Sequence, residues 1–389
     1  MYPLDVPLAD LRTRTSEKWR HYPNDVLPLF VAEMDVHLPP PVADVLTAAV
    51  TSGDTGYGEG RAYPEAFAGF AARRWGWHLS ADAVRVVPNV MTGVVEVVRL
   101  VTEPGAAVVV DPPVYPPFRS FVKHAGRRVV GAPLGPDGRL DLDRLATTFA
   151  QVGRGSVFLL CQPHNPTGTL HTAEELTAVG DLARRHGVQV VADEIHAPLV
   201  LDGRFVPTTT VGPEAVALHS ASKAFNLAGL PAALAVPGPE ASATLARLSP
   251  LVGAEVGHLS ALAQTAALRD ADAWLDGLLT ALRANAALLG TLLAEHVPSA
   301  RWTPPQATYL AWLDLRQAAP TDADPARRLL ETARVAVNPG LTFGAQGAGH
   351  VRLNFATSPT ILTEAVRRIG QVFGRDQPVA GLEARSVDR

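Results

Sequence analysis

Residues 156–193 read SVFLLCQPHNPTGTLHTAEELTAVGDLARRHGVQVVAD, and the order of elements in this stretch decides the fold. The run at 156–161 is short and apolar, which suits a strand buried on both faces. A helix is predicted over 172–186. Thr172 can cap it, Glu175 completes a capping box three residues on, and Gly187 stops it. The run at 188–193 is again short and apolar. Strand, helix and strand in this order predict a parallel sheet covered by helices.

The same alternation continues on both sides. Further strands are predicted at 107–111, 216–220 and 232–236, and helices at 116–125, 141–150 and 239–250. The fold class is therefore α/β, with a mostly parallel sheet sandwiched by helices. After residue 257 the pattern changes. Residues 257–297 are dense in Ala and Leu, as long helices would be. Strand candidates follow at 308–313, 335–337 and 350–355, then a helix near 359–373, which reads as a smaller α+β domain. The first 45 residues, with Pro39, Pro40 and Pro41, read as an arm packed onto it. The expected organisation is an arm over 1–45, a large domain over 46–285, a small domain over 286–375 and a flexible tail over 376–389. No internal repeat is present at solenoid or propeller spacing.

Composition narrows the function. The 389-residue chain has 34 Lys plus Arg against 38 Asp plus Glu, a net charge of −4, which argues against a nucleic-acid partner over the whole molecule. At 47% hydrophobic and 19% charged residues it reads as an ordinary globule. Cys161 is the one cysteine. That excludes a disulfide framework and a Cys-based zinc site, and it fits a reducing cytoplasm. Burial as an inert core thiol is the expectation for it. No stretch reaches about 18 uninterrupted apolar residues, and the start lacks a signal-peptide pattern. The expectation is a cytoplasmic protein with no membrane partner. HExxH, P-loop and GxSxG motifs are absent. Gly56-Tyr57-Gly58-Glu59-Gly60 lacks the spacing of a dinucleotide site.

Four segments carry chemistry: His164-Asn165-Pro166-Thr167-Gly168, Ala192-Asp193-Glu194-Ile195-His196, Ser220-Ala221-Ser222-Lys223-Ala224-Phe225-Asn226 and Val351-Arg352-Leu353-Asn354. Each sits at or just after a strand end. In an open parallel sheet, strand carboxyl ends form the ligand crevice, so Asn165, Asp193 and Lys223 fall on one rim. A partly desolvated lysine can attack a carbonyl. A buried carboxylate can keep a ring nitrogen protonated, and an asparagine amide can donate to a phenolate oxygen. These are the needs of pyridoxal 5′-phosphate. No metal site is expected. Taken singly, Lys223 reads as a surface lysine, while Asp193 has a plain alternative as a cap or strand-end carboxylate, Arg352 as the partner of a core carboxylate and His196 as a structural histidine. Tyr57 and Tyr115 have a plain alternative as ordinary interface or core aromatics. The ordered set is what points to chemistry.

That set, HNPTG, ADE, SxSK and RLN, resembles the fold-type I pyridoxal-phosphate-dependent enzymes of the aspartate aminotransferase superfamily. Val31-Ala-Glu-Met-Asp35, Pro163-His164-Asn-Pro, Asp193-Glu-Ile-His196 and Ser222-Lys-Ala-Phe-Asn-Leu-Ala-Gly-Leu230 resemble most the MalY/PatB cystathionine β-lyase (C–S lyase) family within it. The resemblance implies that Lys223 is the Schiff-base lysine and general base, and that Asp193 partners the pyridine nitrogen. It implies that Asn165 donates to the ring hydroxyl, that Tyr115 stacks on the ring and joins in catalysis, and that His196 stands where aminotransferases have tyrosine. Val90 and Met91 would offer backbone N–H groups to the phosphate from a helix N-terminus, and Ser220 and Ser222 would offer hydroxyls. Tyr57 would reach the active site of a second subunit, so a homodimer with shared active sites is expected. Arg352 would clamp the carboxylate of a small amino-acid substrate, with Asn165 and Tyr57 also near it.

The implied reaction is α,β-elimination: Lys223 takes the α-proton, a thiolate leaves Cβ, and hydrolysis yields pyruvate and ammonia. Departures from the family pattern are Pro231 where aspartate aminotransferases have a phosphate-binding arginine, Glu33 for aspartate, and Asn89 and Thr92 in the phosphate turn. Pro231 and His196 lean toward the lyase. The rival readings are an aminotransferase of the same class and a cofactor-binding regulatory protein that acts through a partner.

Overall fold

A computed structural model describes residues 3–374, and the tail expected over 376–389 lies outside them. The central sheet has seven strands: β1 Arg85–Val87, β2 Ala107–Val110, β3 Arg128–Gly131, β4 Ser156–Cys161, β5 Val188–Asp193, β6 Val216–His219 and β7 Ala233–Pro237. Their spatial order is β1-β7-β6-β5-β4-β2-β3. All neighbouring pairs are parallel except those made by β7, which runs antiparallel to both β1 and β6. The two strands that escape an apolar-run reading, β1 and β3, are the sheet's two edges. Arg128–Gly131 is exposed at both ends, so it never needed a continuous apolar run.

Within each inner strand successive side chains serve opposite faces. Val157, Leu159 and Cys161 pack on one side with the helix Val90–Val101. Phe158 and Leu160 pack on the other with Leu142–Val152 and Ala173–His186. Each such burial contributes about 1.5–3 kcal/mol. Ala173–His186 starts at the expected capping box, with Thr172 accepting from the Glu175 N–H and Glu175 accepting from the Thr172 N–H, and ends at Gly187 with φ +69°. The helix expected over 239–250 is broken into the turn Pro239–Ala241, a short helix Ser242–Leu245 and another at Pro250–Ala254. Pro250 lacks the N–H that a continuing helix would use, and Ser249 caps a fresh start.

The Ala/Leu-dense stretch forms two helices, His258–Asp270 and Asp272–His296. The second is long and apolar enough, by length and composition alone, to cross a membrane. In this fold it buries Leu275, Leu278, Leu282 and Leu289, packs on Pro359–Phe373, and pairs Asp272 and Asp276 with Arg73 and Arg74. It is a core helix. A second, antiparallel sheet runs Asn338–Pro339, His350–Asn354, Leu310–Asp314, Arg301–Trp302. Leu27–Pro28, from the amino-terminal segment, pairs in parallel with Val335–Ala336.

Candidate active site

Five loops leave the carboxyl ends of β1, β2, β4, β5 and β6 and meet at one cavity of about 580 Å³. Val90, Met91, Tyr115, Asn165, Asp193, His196, Ser220, Ser222, Lys223 and Arg352 all line it. Ten of the eleven residues read from the sequence thus converge on one site. The eleventh, Tyr57, does not: it is fully exposed on the loop before Ala62–Trp75 and lines no part of the cavity.

Lys223 sits in the β6–β7 connection, where its amine donates to the Ala32 carbonyl at 3.0 Å. Burial, reinforced by the Arg352 charge, lowers its pKa to about 8. Asp193 ends β5 and is buried. One of its oxygens accepts from the Ile195 N–H at 3.1 Å, and burial pushes its carboxyl up to about 7. Among the described residues no cation is within ion-pair distance of it, and Lys223 pulls only against the larger effect of burial, so a protonated ring nitrogen would supply a close partner. His196, also buried, is held neutral because burial lowers its pKa to about 3. That makes it a hydrogen-bonding group and not a standing proton donor. Tyr115 lines the wall, edge-on to Phe118 at 5.8 Å, and burial raises its phenol pKa.

Arg352 lies on His350–Asn354, in the antiparallel sheet, and is only 4% exposed. It donates to Asn165 Oδ1 at 3.0 Å, to the Phe30 carbonyl at 2.9 Å and to Asn338 Oδ1 at 2.6 Å. Its guanidinium also lies 5.1 Å over the Phe343 ring. Its buried Nε has no partner among the described residues. Because Arg352 occupies the Asn165 oxygen, the Asn165 amide NH₂ is left as the group that can donate to a ligand.

At the opposite end, Val90–Val101 points its N-terminus into the cavity. Asn89 caps it by accepting from the Thr92 N–H at 2.9 Å, which leaves the first-turn N–H groups of Val90 and Met91 for an anion. Gly93 lets this helix sit close to the sheet. A Cβ there would lie 2.7 Å from Leu218 Cδ1 and 2.8 Å from Val87 Cγ2. The two serines line the cavity and are also tied to the protein around them. Ser220 donates to the Ala232 carbonyl at 2.7 Å, so its single proton serves the fold. Ser222 contacts Ser220 at 2.7 Å and accepts from Gln264 Nε2 at 3.1 Å. Pro231 lines the cavity, where it offers no charge.

Several site residues had no sequence signal. Gln264, buried in the helix His258–Asp270, holds Ser222 and accepts from the Ala221 N–H. Asn338 and Phe343 fix Arg352. Tyr309 faces His196, with ring centroids 6.2 Å apart. A polar residue on an Ala-rich helix, or an asparagine in an irregular loop, carries no periodicity to mark it. Cys161 is buried, as expected of a core thiol, and also lines the cavity. It accepts from the Asn165 N–H at 3.4 Å, and burial raises its pKa well above the ordinary thiol value, which keeps it inert. Among the described residues no group of three or more His, Cys, Asp or Glu could hold a metal ion.

The donor set fits pyridoxal 5′-phosphate: an amine of lowered pKa, a buried carboxylate of raised pKa, a free amide donor and a helix N-terminus, all facing one cavity. Comparison with known proteins agrees. Residues 30–369 match the family model described as aminotransferase class I and II. A protein of Mycobacterium tuberculosis (strain H37Rv) named "Putative cystathionine beta-lyase" is 52% identical, over 94% of this chain and 97% of its own. Cystathionine beta-lyase PatB of Bacillus subtilis is 34% identical, over 89% and 92%. A solved structure from Corynebacterium diphtheriae, described as a "putative plp-dependent beta-cystathionase", superposes with a TM-score of 0.90 at 33% identity, covering 95% of this chain and 99% of that one. This chain therefore belongs to the aminotransferase class I and II family, in the branch of its cystathionine beta-lyase relatives.

Proposed function

We propose that the chain is a pyridoxal-phosphate-dependent carbon–sulfur β-lyase, which eliminates a thiol from cystathionine or a related cysteine S-conjugate and releases pyruvate and ammonia. The observation that carries this reading is the meeting of Lys223, Asp193 and Arg352 in one cavity, with Lys223 brought to about 8 and Asp193 raised to about 7 by burial. When bound, the cofactor supplies an electron-accepting ring that stabilises a carbanion at the substrate Cα. The chain's own residues do the rest. Lys223 would hold the cofactor aldehyde and, when its amine is free, would take the α-proton, as an amine of lowered pKa can near neutral pH. Asp193 keeps the ring nitrogen protonated. Asn165 donates from its amide, and Val90 and Met91 N–H groups hold the phosphate. Arg352 would bind the substrate carboxylate through its fork, and Tyr115 would wall the cofactor's side of the cavity.

Elimination is favoured over amino transfer by two features. Pro231 and His196 stand in the cavity where an aminotransferase would place arginine and tyrosine, and the most similar relatives above carry cystathionine lyase names. The test is a panel of cystathionine and cysteine S-conjugates scored for pyruvate, with the visible cofactor absorption recorded alongside. Pyruvate in molar balance with thiol is expected. Amino-donor loss that requires a keto acid, without pyruvate from any member of the panel, overturns the lyase in favour of an aminotransferase. We further propose a homodimer in which Tyr57, exposed in one protomer, completes the partner's site. Sedimentation as a fully active monomer would refute it.

A further inference from the structure

Tyr309 has no assigned part in the reaction, yet the backbone is strained to deliver it. The residue before it, Thr308, has φ +74°. A β-branched side chain rarely adopts this conformation, and such strain persists only where the surroundings enforce it. Here they do. The Thr308 N–H donates to the Leu199 carbonyl at 2.9 Å, and the Phe355 N–H donates to the Tyr309 carbonyl at 3.0 Å. The turn sends the Tyr309 ring inward, where it is 1% exposed.

Its hydroxyl donates to the Ala32 carbonyl at 2.9 Å, the same oxygen that accepts from Lys223 Nζ at 3.0 Å. That carbonyl belongs to a segment pinned on either side. Asn354 Nδ2 bonds the Val31 carbonyl at 2.8 Å and the Glu33 carbonyl at 2.6 Å. Lys18 also donates to the Glu33 carbonyl, and Asn226 bonds both backbone groups of Met34. Ala32 O is thus a fixed acceptor shared by two donors, one permanent and one that must come and go. Burial also raises the Tyr309 phenol pKa far above its ordinary value, so it remains a proton donor throughout.

We propose that Tyr309 is a positioning residue for Lys223: its hydroxyl occupies one lone pair of the Ala32 carbonyl and so limits how tightly that carbonyl holds the free lysine amine. A carbonyl with both lone pairs available is the better acceptor for an ammonium. Losing Tyr309's donation therefore favours protonated Lys223 and leaves less of it able to take the α-proton at a given pH. This rests on the lyase reading above, in which Lys223 is that base.

The test uses holoenzyme. Wild type is first scored for pyruvate across the panel of cystathionine and cysteine S-conjugates, and pyruvate from none of them defeats the lyase reading itself. With a pyruvate-forming wild type, Tyr309→Phe is expected to load cofactor and keep its visible absorption band, with KM within about twofold of wild type. Its kcat near neutral pH should fall about fivefold, the loss of one neutral hydrogen bond. The acidic limb of the kcat profile should move to higher pH, and the isotope effect with Cα-deuterated substrate should rise. Should Tyr309→Phe fail to fold, 2,3-difluorotyrosine at position 309 keeps the shape and makes the hydroxyl a stronger donor, so the acidic limb should move to lower pH. A Phe variant with a wild-type pH profile and isotope effect, or a change confined to KM, overturns the proposal. So does a difluorotyrosine enzyme whose limb does not move.

Discussion

Replacing Asp193 with Asn separates what this carboxylate does to the fold from what it does for a cofactor. Asp193 is 5% exposed. Burial raises its carboxyl from 3.8 to about 7, against smaller opposing pulls from the Ile195 N–H and from Lys223. In the unfolded chain the group ionises at its ordinary value. Between those two pH values the folded, cofactor-free chain binds more protons than the unfolded one, so its stability falls as pH rises. At about 1.4 kcal/mol per pH unit, the penalty reaches about 4 kcal/mol above pH 7. Asn carries no such charge. Cofactor-free Asp193→Asn should therefore exceed cofactor-free wild type in stability near pH 8 by up to about 4 kcal/mol, and the gap should close toward pH 4. Pyridoxal phosphate reverses the comparison, because the ionised carboxylate then gains a cationic N–H partner. Wild type should gain much more stability from the cofactor than the variant does. Urea unfolding near pH 4.5 and near pH 8, with and without cofactor, measures all four states. A gap between the cofactor-free proteins that does not change with pH refutes the reasoning. Equal stabilisation of both proteins by cofactor refutes it too.

Other outcomes follow from the same geometry. Lys18 and Asp35 form an ion pair at 2.9 Å, each 1% exposed, and Trp19 Nε1 also donates to Asp35, at 3.0 Å. Lys18→Met strands that carboxylate and should cost about 3–5 kcal/mol in urea unfolding. Arg352→Lys keeps the charge but loses the fork that reaches Asn165, Asn338 and Phe30. Substrate KM should rise about 10- to 100-fold, the worth of a charged hydrogen bond, while the cofactor's absorption band persists. Gly93→Ala gains about 1 kcal/mol of helix propensity. It drives a methyl against Leu218 and Val87, however, so a net loss of up to about 2 kcal/mol is expected in thermal unfolding, with weaker cofactor binding as the helix N-terminus shifts.

What could be read directly from the chain was local. The capping box at Thr172 and Glu175, the apolar runs of β4 and β5, and the motif residues at strand ends are each written in a few consecutive positions. A parallel sheet then places strand ends on one rim, so Asn165, Asp193 and Lys223 were predictable as neighbours before any contact was known. Tertiary structure decided what depends on distant partners. Sequence periodicity says that a strand is buried, but not that β7 enters the sheet antiparallel between β1 and β6. A motif names Ser220 and Ser222, but only the fold shows Gln264 holding one and the Ala232 carbonyl taking the proton of the other. Arg352 is legible as a carboxylate clamp, whereas Asn338 and Phe343, which aim it, are not. Lys223 takes its shifted pKa from burial and from charges tens to hundreds of residues away in sequence, and Asp193 takes its own chiefly from burial. Residue identity therefore chose the chemical groups, and packing set their protonation and direction, because desolvation and hydrogen-bond geometry exist only once the chain has closed around them.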